Sequence, residues 1–284
     1  MIPQSLKEVL VDGGFCSARQ LQQAEILSGG DTCLAARIPG QTSDTFLKWS
    51  TDPSVCRSMP AERDSLHILG RAGAHVPDGV ALFESGGASG LIMEYLPASS
   101  WSAEHTASLV EQLERVYQAP LSLAPVPQNA TIGSVPVEHG GGELLGEWYL
   151  QMRIHPLAIR CKSVLGEELY ARVLDWALDQ KDALSKPRTW VHGDLWSGNA
   201  HCAADGNVYL IDPVCHHAYP ELDLAMMDLF GGFPPQVATE LCSSGILDPE
   251  WRSRLGLWQL IPALVHVATF GGGYRGMVQR IVTS

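Results

Sequence analysis

The sequence predicts an α+β fold of two unequal lobes: a small N-terminal lobe with an antiparallel sheet, residues 1–97, and a larger, mainly helical C-terminal lobe, residues 98–284. Three observations point there. Short strand-like runs, among them L-A-A-R-I (34–38), T-F-L-K-W-S (45–50) and L-I-M-E-Y-L (91–96), fall before Pro97 and are separated by turn residues. After Pro97 the apolar residues recur at helical spacing over longer stretches. A chain of 284 residues, 45% hydrophobic and 18% charged, has ordinary globular composition and is long enough for both units.

In chain order, residues 1–27 read as helix, from Leu6, Val9, Leu10, Leu21, Ala24, Ile26 and Leu27. S-G-G-D-T-C (28–33) reads as a turn into the strand at 34–38. P-G-Q-T-S-D (39–44) then turns the chain into the strand at 45–50, giving a hairpin. Pro60 reads as a first-turn residue of a helix running to about Leu69. Gly86-Gly87 and Ser89-Gly90 punctuate a second hairpin, whose later strand at 91–96 is stopped by Pro97. Residues 102–118 carry one apolar helical face. A Pro-rich loop (120–136) and a Gly-rich one (140–142) precede helices at 143–154 and 164–184. D-G-N (205–207) turns into the strand V-Y-L-I (208–211), and Leu222–Leu229 and 251–268 return to helix. Leu257, Leu260, Ile261, Leu264 and Val267 form a core stripe on the last of these, and His266 beside it reads as a hydrogen-bonded core histidine rather than a cleft residue. No internal repeat is visible.

Composition removes several function classes. A formal net charge of −12 argues against a nucleic-acid backbone as partner. No uninterrupted apolar run approaches the roughly 20 residues of a bilayer span, and M-I-P-Q-S-L-K-E-V-L lacks a signal-peptide layout. Seven cysteines without a C-x-x-C pair disfavour both a disulfide framework and a zinc site. A reducing cytoplasm is the economical location, where the sequon Asn129-Ala130-Thr131 goes unglycosylated. The expected partner is a small molecule, with no nucleic acid and no membrane.

Candidate chemistry starts with a scarcity. Lys7, Lys48, Lys162, Lys181 and Lys186 are the only lysines, so an ammonium needed in the N-terminal half falls to Lys48. Glu62 lies within about 40° of Leu66 and Leu69 at about 100° per residue, sharing the inward helical face. A carboxylate there needs a cation, because an unpaired buried charge is costly. Lys48 on the preceding strand is the nearest lysine upstream.

The stretch V-H-G-D-L-W-S-G-N (191–199) sets polar, turn-prone chemistry between two apolar segments. Asp194 and Asn199 are separated by four residues, the spacing of the kinase catalytic loop H-R-D-x-x-x-x-N. There the Asp accepts the proton of the attacking hydroxyl and the Asn ligates magnesium. Asp212, in V-Y-L-I-D-P, stands at the exit of a strand, thirteen residues past Asn199, where it can share that metal. A lysine and Mg2+ offset the phosphate charge of ATP, and hard oxygen ligands suit the metal. Asp194 needs no unusual pKa for this role, since the transition state demands little deprotonation until late. His192 reads as fixing the loop by hydrogen bonds. Trp196 reads as a wall against a sugar or as packing beneath the loop. His216 and His217, adjacent on an extended segment, point to opposite faces, which disfavours a shared transition metal.

With those residues in place, the chain resembles the fructosamine kinases, also called ketosamine kinases, in the protein-kinase-like superfamily close to aminoglycoside phosphotransferases. H-G-D-L-W-S-G-N (192–199) is similar to the family signature nearly letter for letter. I-D-P (211–213), E-L-D-L-A-M (221–226), L-F-G-G-F (229–233), N-A-T-I-G-S (129–134) and F-G-G-G-Y (270–274) extend the likeness over roughly Gly29 to Tyr274. The resemblance implies a bilobal protein-kinase-like fold and ATP-dependent phosphorylation of a sugar hydroxyl of ketoamines, the products of amine glycation. It implies that Lys48 contacts the ATP phosphates and pairs with Glu62, and that the backbone of Glu94, Tyr95 and Leu96 contacts adenine. Asp194 would be the catalytic base, Asn199 and Asp212 the Mg2+ ligands, and Asp223 and Glu221 structural acids. His216 and His217 stand where relatives carry a tyrosine pair, and Pro220 where they carry a basic residue. With Trp196, the two histidines are therefore the candidate acceptor residues. Rival readings are a kinase of another hydroxylated amine, aminoglycoside-like, and a catalytically silent nucleotide-binding scaffold.

Overall fold

A computed structural model describes residues 1–27, 33–140, 144–184 and 187–283. The turn expected at 28–33 therefore lies outside the described residues except for Cys33, as does most of the Gly-rich loop at 140–142. The N-terminal half opens with helices α1 (Gln4–Asp12) and α2 (Ala18–Gln22), followed by β1 (Glu25–Leu27), β2 (Leu34–Ile38) and β3 (Thr45–Ser50). Helix α3 (Pro53–Arg71) and strands β4 (Ala81–Ser85) and β5 (Ala88–Glu94) complete it. Its strands form one antiparallel sheet in the order β1-β2-β3-β5-β4.

Alternation along β3 sets the geometry that matters for chemistry. Leu47 and Trp49 are buried with Leu6, Leu10, Ile38 and Ile92 in the core under α1. Lys48, one residue out of phase, projects from the opposite face toward α3. Its register places it between Ala35 on β2 and Leu91 on β5. Gly90 interrupts β5 for a steric reason: a Cβ there would sit 2.7 Å from the Phe83 ring and 2.9 Å from the Lys48 carbonyl. Ser89 and Gly90 thus belong to the strand, and the hairpin turn is made by Gly86-Gly87, both at positive φ.

Helix α3 starts earlier than Pro60 suggests. Asp52 caps it, accepting from the backbone N–H of Ser54 at 2.7 Å and Val55 at 3.4 Å, with Pro53 at the first helical position. Pro60 lies in the helix interior, where it removes one backbone bond. The buried face of Met59, Leu66 and Leu69 keeps the helix running past it. Residues 25–27 are likewise strand rather than helix, because pairing with β2 satisfies their backbone.

The C-terminal half is built from α4 (Ala103–Gln118), the hairpin β6 (Ala130–Ile132) and β7 (Val135–Val137), α5 (Leu145–Trp148) and α6 (His155–Gln180). Then come β8 (Thr189–Val191), β9 (Ala200–Cys202), β10 (Val208–Leu210), β11 (His216–Ala218), α7 (Pro220–Phe230), α8 (Gln236–Ser243), α9 (Leu255–Phe270) and α10 (Arg275–Ile281). The β6–β7 hairpin falls inside the stretch read as a Pro-rich loop. A π-helical segment, Tyr149–Ile154, joins α5 to α6. Strands β9 and β10 pair with each other, as do β8 and β11. The helical core includes Trp148, Tyr149, Trp190, Tyr219, Trp258 and the α9 stripe. Trp251–Ile281 is apolar and long enough to cross a bilayer by composition alone. Its Leu257, Trp258, Leu260 and Leu264 are nonetheless buried in this core. The cysteines form no disulfide among the described residues.

Candidate active site

Strand β8 delivers the loop after it at a fixed height. Gly193 takes φ of +87°, and a Cβ there would lie 2.2 Å from the Val214 carbonyl oxygen, so only glycine makes this turn. Asp223, fully buried on the first turn of α7, accepts the backbone N–H of His192 at 2.8 Å and of Gly193 at 2.9 Å. Tyr117 donates its hydroxyl to the same carboxylate at 3.1 Å. Burial pushes the Asp223 carboxyl up to about 6 against these donors. His192 is held neutral, at about 4, by burial. Its Nε2–H donates to the Ile211 carbonyl at 3.0 Å and its Nδ1 accepts the Asp194 N–H at 3.3 Å. Asp223→Ala would orphan two buried N–H groups, each costing about 1–3 kcal/mol. We expect a loss of about 2–5 kcal/mol in denaturant unfolding; an unchanged midpoint would show that the loop does not depend on this brace.

Below that loop the ionisable groups converge. Lys48 Nζ lies 2.9 Å from both Glu62 oxygens and 2.8 Å from Asp212 Oδ1. Burial opposes the Lys48 charge, but Asp212 and Glu62 more than offset it and hold the ammonium above its ordinary pKa. Burial, aided by the Asp212 charge, pushes Glu62 up to about 7 although Lys48 pulls it down. Burial also disfavours charge on Asp212, yet Lys48 outweighs it and keeps that carboxyl below its usual range. Asp194 is raised to about 7 by burial and then by the Asp212 charge. Asp212 itself sits at φ +52°, a left-handed conformation that costs a non-glycine residue energy and is found where a side chain must be aimed.

One cleft of about 470 Å3 collects Lys48, Glu62, Asp194, Asn199 and Asp212 together with Trp196. The Asn199 amide N–H donates to the Asp194 carbonyl at 2.8 Å and to its Oδ2 at 3.2 Å. That orientation turns the Asn199 amide oxygen away from Asp194, leaving it as a hard donor. Asp212, with its side chain 48% exposed, is the second such donor. A pair of oxygen donors fits Mg2+, which keeps several waters and phosphate oxygens as its remaining ligands. Among the described residues no cluster of three or more His, Cys, Asp or Glu offers a transition-metal site.

The other sequence candidates are placed differently. Glu94 ends β5, and its N–H donates to the Asp78 carbonyl at 2.8 Å, while the Tyr95 N–H donates to the Asp44 carbonyl at 3.0 Å. The Leu96 carbonyl accepts His201 Nε2 at 2.9 Å, and none of these three residues lines the cleft. Their expected adenine contact is thus limited to backbone groups not already engaged. His216 and His217 do not reach the cleft either, which corrects their reading as acceptor residues. His216 is buried beneath Gly193, stacked on His139 at 4.7 Å, with its Nδ1 at 2.7 Å from the Val214 carbonyl. His217 packs against Trp190 at 4.1 Å. Alternation on β11 sends the pair to opposite sides, with His216 buried and His217 half-buried. Arg153, buried in the π-helical segment, donates to His139 Nδ1 at 2.7 Å and to the Glu138 carbonyl, closing that layer. Trp196 both packs and faces outward: its ring covers Gly198 yet stays 40% exposed. His266, read from sequence as core, lines the cleft with Phe230, Phe270 and Tyr274. Its apolar neighbours on α9 hid it.

A five-stranded antiparallel sheet carrying a Lys–Glu pair, set against a helical half that presents an Asp, an Asn and a second Asp to the same cleft, defines a protein-kinase-like phosphotransferase. The family model for fructosamine kinases matches residues 6–284, and the chain belongs to that family of ATP-dependent kinases. It is 27% identical to the ketosamine-3-kinase of Mus musculus, over 91% of this chain and 94% of that one. A probable ketoamine kinase of Enterococcus faecium is 26% identical over 89% of this chain and 92% of its own. Among solved structures, a candidate fructosamine-3-kinase from Thermobifida fusca superimposes with a TM-score of 0.80 at 28% identity, covering 92% of each chain. A thermostable mutant of the aminoglycoside phosphotransferase APH(4)-Ia shares the fold, with a TM-score of 0.65 at 15% identity over 98% of each chain.

Proposed function

We propose that this kinase transfers the γ-phosphoryl group of ATP to a sugar hydroxyl of a ketosamine, of the fructosamine or ribulosamine type, and so acts in deglycation. The single observation that carries the reading is the meeting of Lys48, Glu62, Asp194, Asn199 and Asp212 in one cleft. Lys48, positioned by Glu62, offsets charge on the phosphates. Asn199 and Asp212 would hold Mg2+, which when bound neutralises phosphate charge that the protein alone leaves unmatched. Asp194 orients the acceptor hydroxyl and takes its proton as the new O–P bond forms and the bond to ADP breaks. Residues 1–97 serve as the nucleotide lobe, with uncommitted backbone groups of Glu94, Tyr95 and Leu96 toward adenine, and residues 98–284 carry the catalytic loop and acceptor.

Because Asp194 accepts a proton only as the carboxylate, activity belongs to the form present above its pKa. With that carboxyl raised to about 7, kcat/KM should climb as pH rises toward neutrality and level off above it. A profile that is flat between about pH 5 and 8 would contradict this assignment. The acceptor class is tested by ADP release in a screen of fructosyl-lysine, ribosyl-lysine, aminoglycosides and simple amino alcohols. Release dependent on the glycated lysines supports the reading; release with aminoglycosides alone moves the acceptor to that class, and no acceptor-dependent release contradicts phosphotransfer.

A further inference from the structure

The acceptor end of the cleft is aromatic where the nucleotide end is ionic. Trp196, Phe230, His266, Phe270 and Tyr274 line it. His266 is the hub, with ring centroids 5.1 Å from Phe230, 5.5 Å from Phe270 and 4.8 Å from Tyr274. Trp196 extends the surface edge-on to Phe230 at 6.4 Å. The acids lining the cleft are Glu62, Asp194 and Asp212, each already engaged in the chemistry described above, so the aromatic end has no carboxylate of its own among the described residues.

The His266 tautomer follows from one contact. Its Nδ1 lies 2.8 Å from the carbonyl oxygen of Pro262, one turn back on α9. A carbonyl only accepts, so Nδ1 carries the hydrogen, and in the neutral ring Nε2 is left with a lone pair. Nε2 makes no hydrogen bond among the described residues, and it is not among the sealed polar atoms. A directed acceptor therefore stands amid aromatic faces, beside the loop that bears Asp194.

We propose that His266 is a specificity-determining residue whose Nε2 accepts a hydrogen bond from a hydroxyl or ammonium of the phosphate acceptor, while Phe230, Phe270, Tyr274 and Trp196 cover its sugar and the ammonium bonded to that sugar. This deepens the phosphotransferase reading and rests on it. One ammonium over aromatic faces is favourable. A polycation would enter a subsite without carboxylates to match its further charges, so the arrangement selects a glycated amine over an aminoglycoside.

The test is calorimetric binding of fructosyl-lysine to the intact enzyme loaded with MgADP, with ADP release from MgATP followed in parallel. His266→Phe keeps the ring and removes the lone pair, and should weaken binding about tenfold or more while the KM for ATP stays within about twofold. His266→Gln restores an acceptor and should recover binding to within about threefold of wild type. Phe270→Ala, at a position 53% exposed and therefore safe for folding, should also weaken binding. Tobramycin should bind at least about a hundredfold more weakly than fructosyl-lysine. Equal binding by wild type and His266→Phe, no rescue by His266→Gln, or no fructosyl-lysine binding to wild type would each overturn the assignment. Binding lost in His266→Phe and restored in His266→Gln without turnover by wild type would uphold the subsite and count against phosphotransfer to a ketosamine instead.

Discussion

Asp194→Ala should lower turnover by about 10²–10⁴, the span of a general acid–base group, and leave ATP affinity near wild type. The separation follows from geometry. The cation proposed to face the phosphates is Lys48, held by Glu62 at 2.9 Å and Asp212 at 2.8 Å, and Asp194 is not one of its hydrogen-bond partners. Asp194 instead touches Asn199, whose amide donates to its Oδ2 at 3.2 Å and to its backbone carbonyl at 2.8 Å. The second of those bonds survives the substitution, as does the Asp194 N–H bond to His192. The loop thus keeps its shape and loses only the group proposed to take the proton. Steady-state kinetics with saturating MgATP, together with ATP titration of the variant, read both halves. Unchanged turnover would remove Asp194 from its role.

The second large effect is at Asp212. Asp212→Asn removes the charge that Lys48 pairs with and that a bound Mg2+ would share, and we expect Mg2+-dependent ATP binding to weaken about ten- to hundredfold, the worth of one hydrogen bond to a charged group. Lys48 Nζ lies 2.8 Å from Asp212 Oδ1. A bound Mg2+ would share that carboxylate with the ammonium. Metal-free ATP binding should change much less than binding in the presence of Mg2+. Titrations of ATP with and without the metal separate the two, and a wild-type magnesium dependence in Asp212→Asn would show that Asp212 is not a ligand.

Some of this was legible in the sequence for stateable reasons. Lys48 stood out because the N-terminal half has almost no other lysine. Glu62 stood out because helical phase put a carboxylate on the face of Leu66 and Leu69, and the ion pair follows from the cost of leaving it unpaired. The H-G-D-L-W-S-G-N segment carried its own spacing. What stayed hidden depends on contacts distant in sequence. The two N–H bonds that Asp223 accepts from the loop span about thirty residues, as His192 to Asp223, and no local pattern encodes them. His216 and His217 looked like acceptor residues from their position in the motif, yet β8–β11 pairing buries His216 and half-buries His217, and neither lines the cleft. Pro60 looked like a helix start, but the cap is Asp52, eight residues earlier. His266 was masked by Leu264 and Val267, since a stripe two or three residues wide cannot show on which side of its edge a histidine falls.

The strand β1 and the β6–β7 hairpin were missed for a related reason. Each strand has three residues, too few for a period-2 pattern to emerge, and each forms because a partner strand lies alongside. The core of α9 was legible because its apolar repeat is long, and long periodic segments need no knowledge of their neighbours to be recognised.

The central claim is that these side chains act together on one nucleotide and one acceptor hydroxyl. Phosphorus NMR of MgATP mixed with fructosyl-lysine and enzyme reads it most directly. A new phosphomonoester resonance growing in step with ADP, absent with Asp194→Ala, is the predicted result. Release of inorganic phosphate alone, at equal rates in wild type and Asp194→Ala, would contradict it.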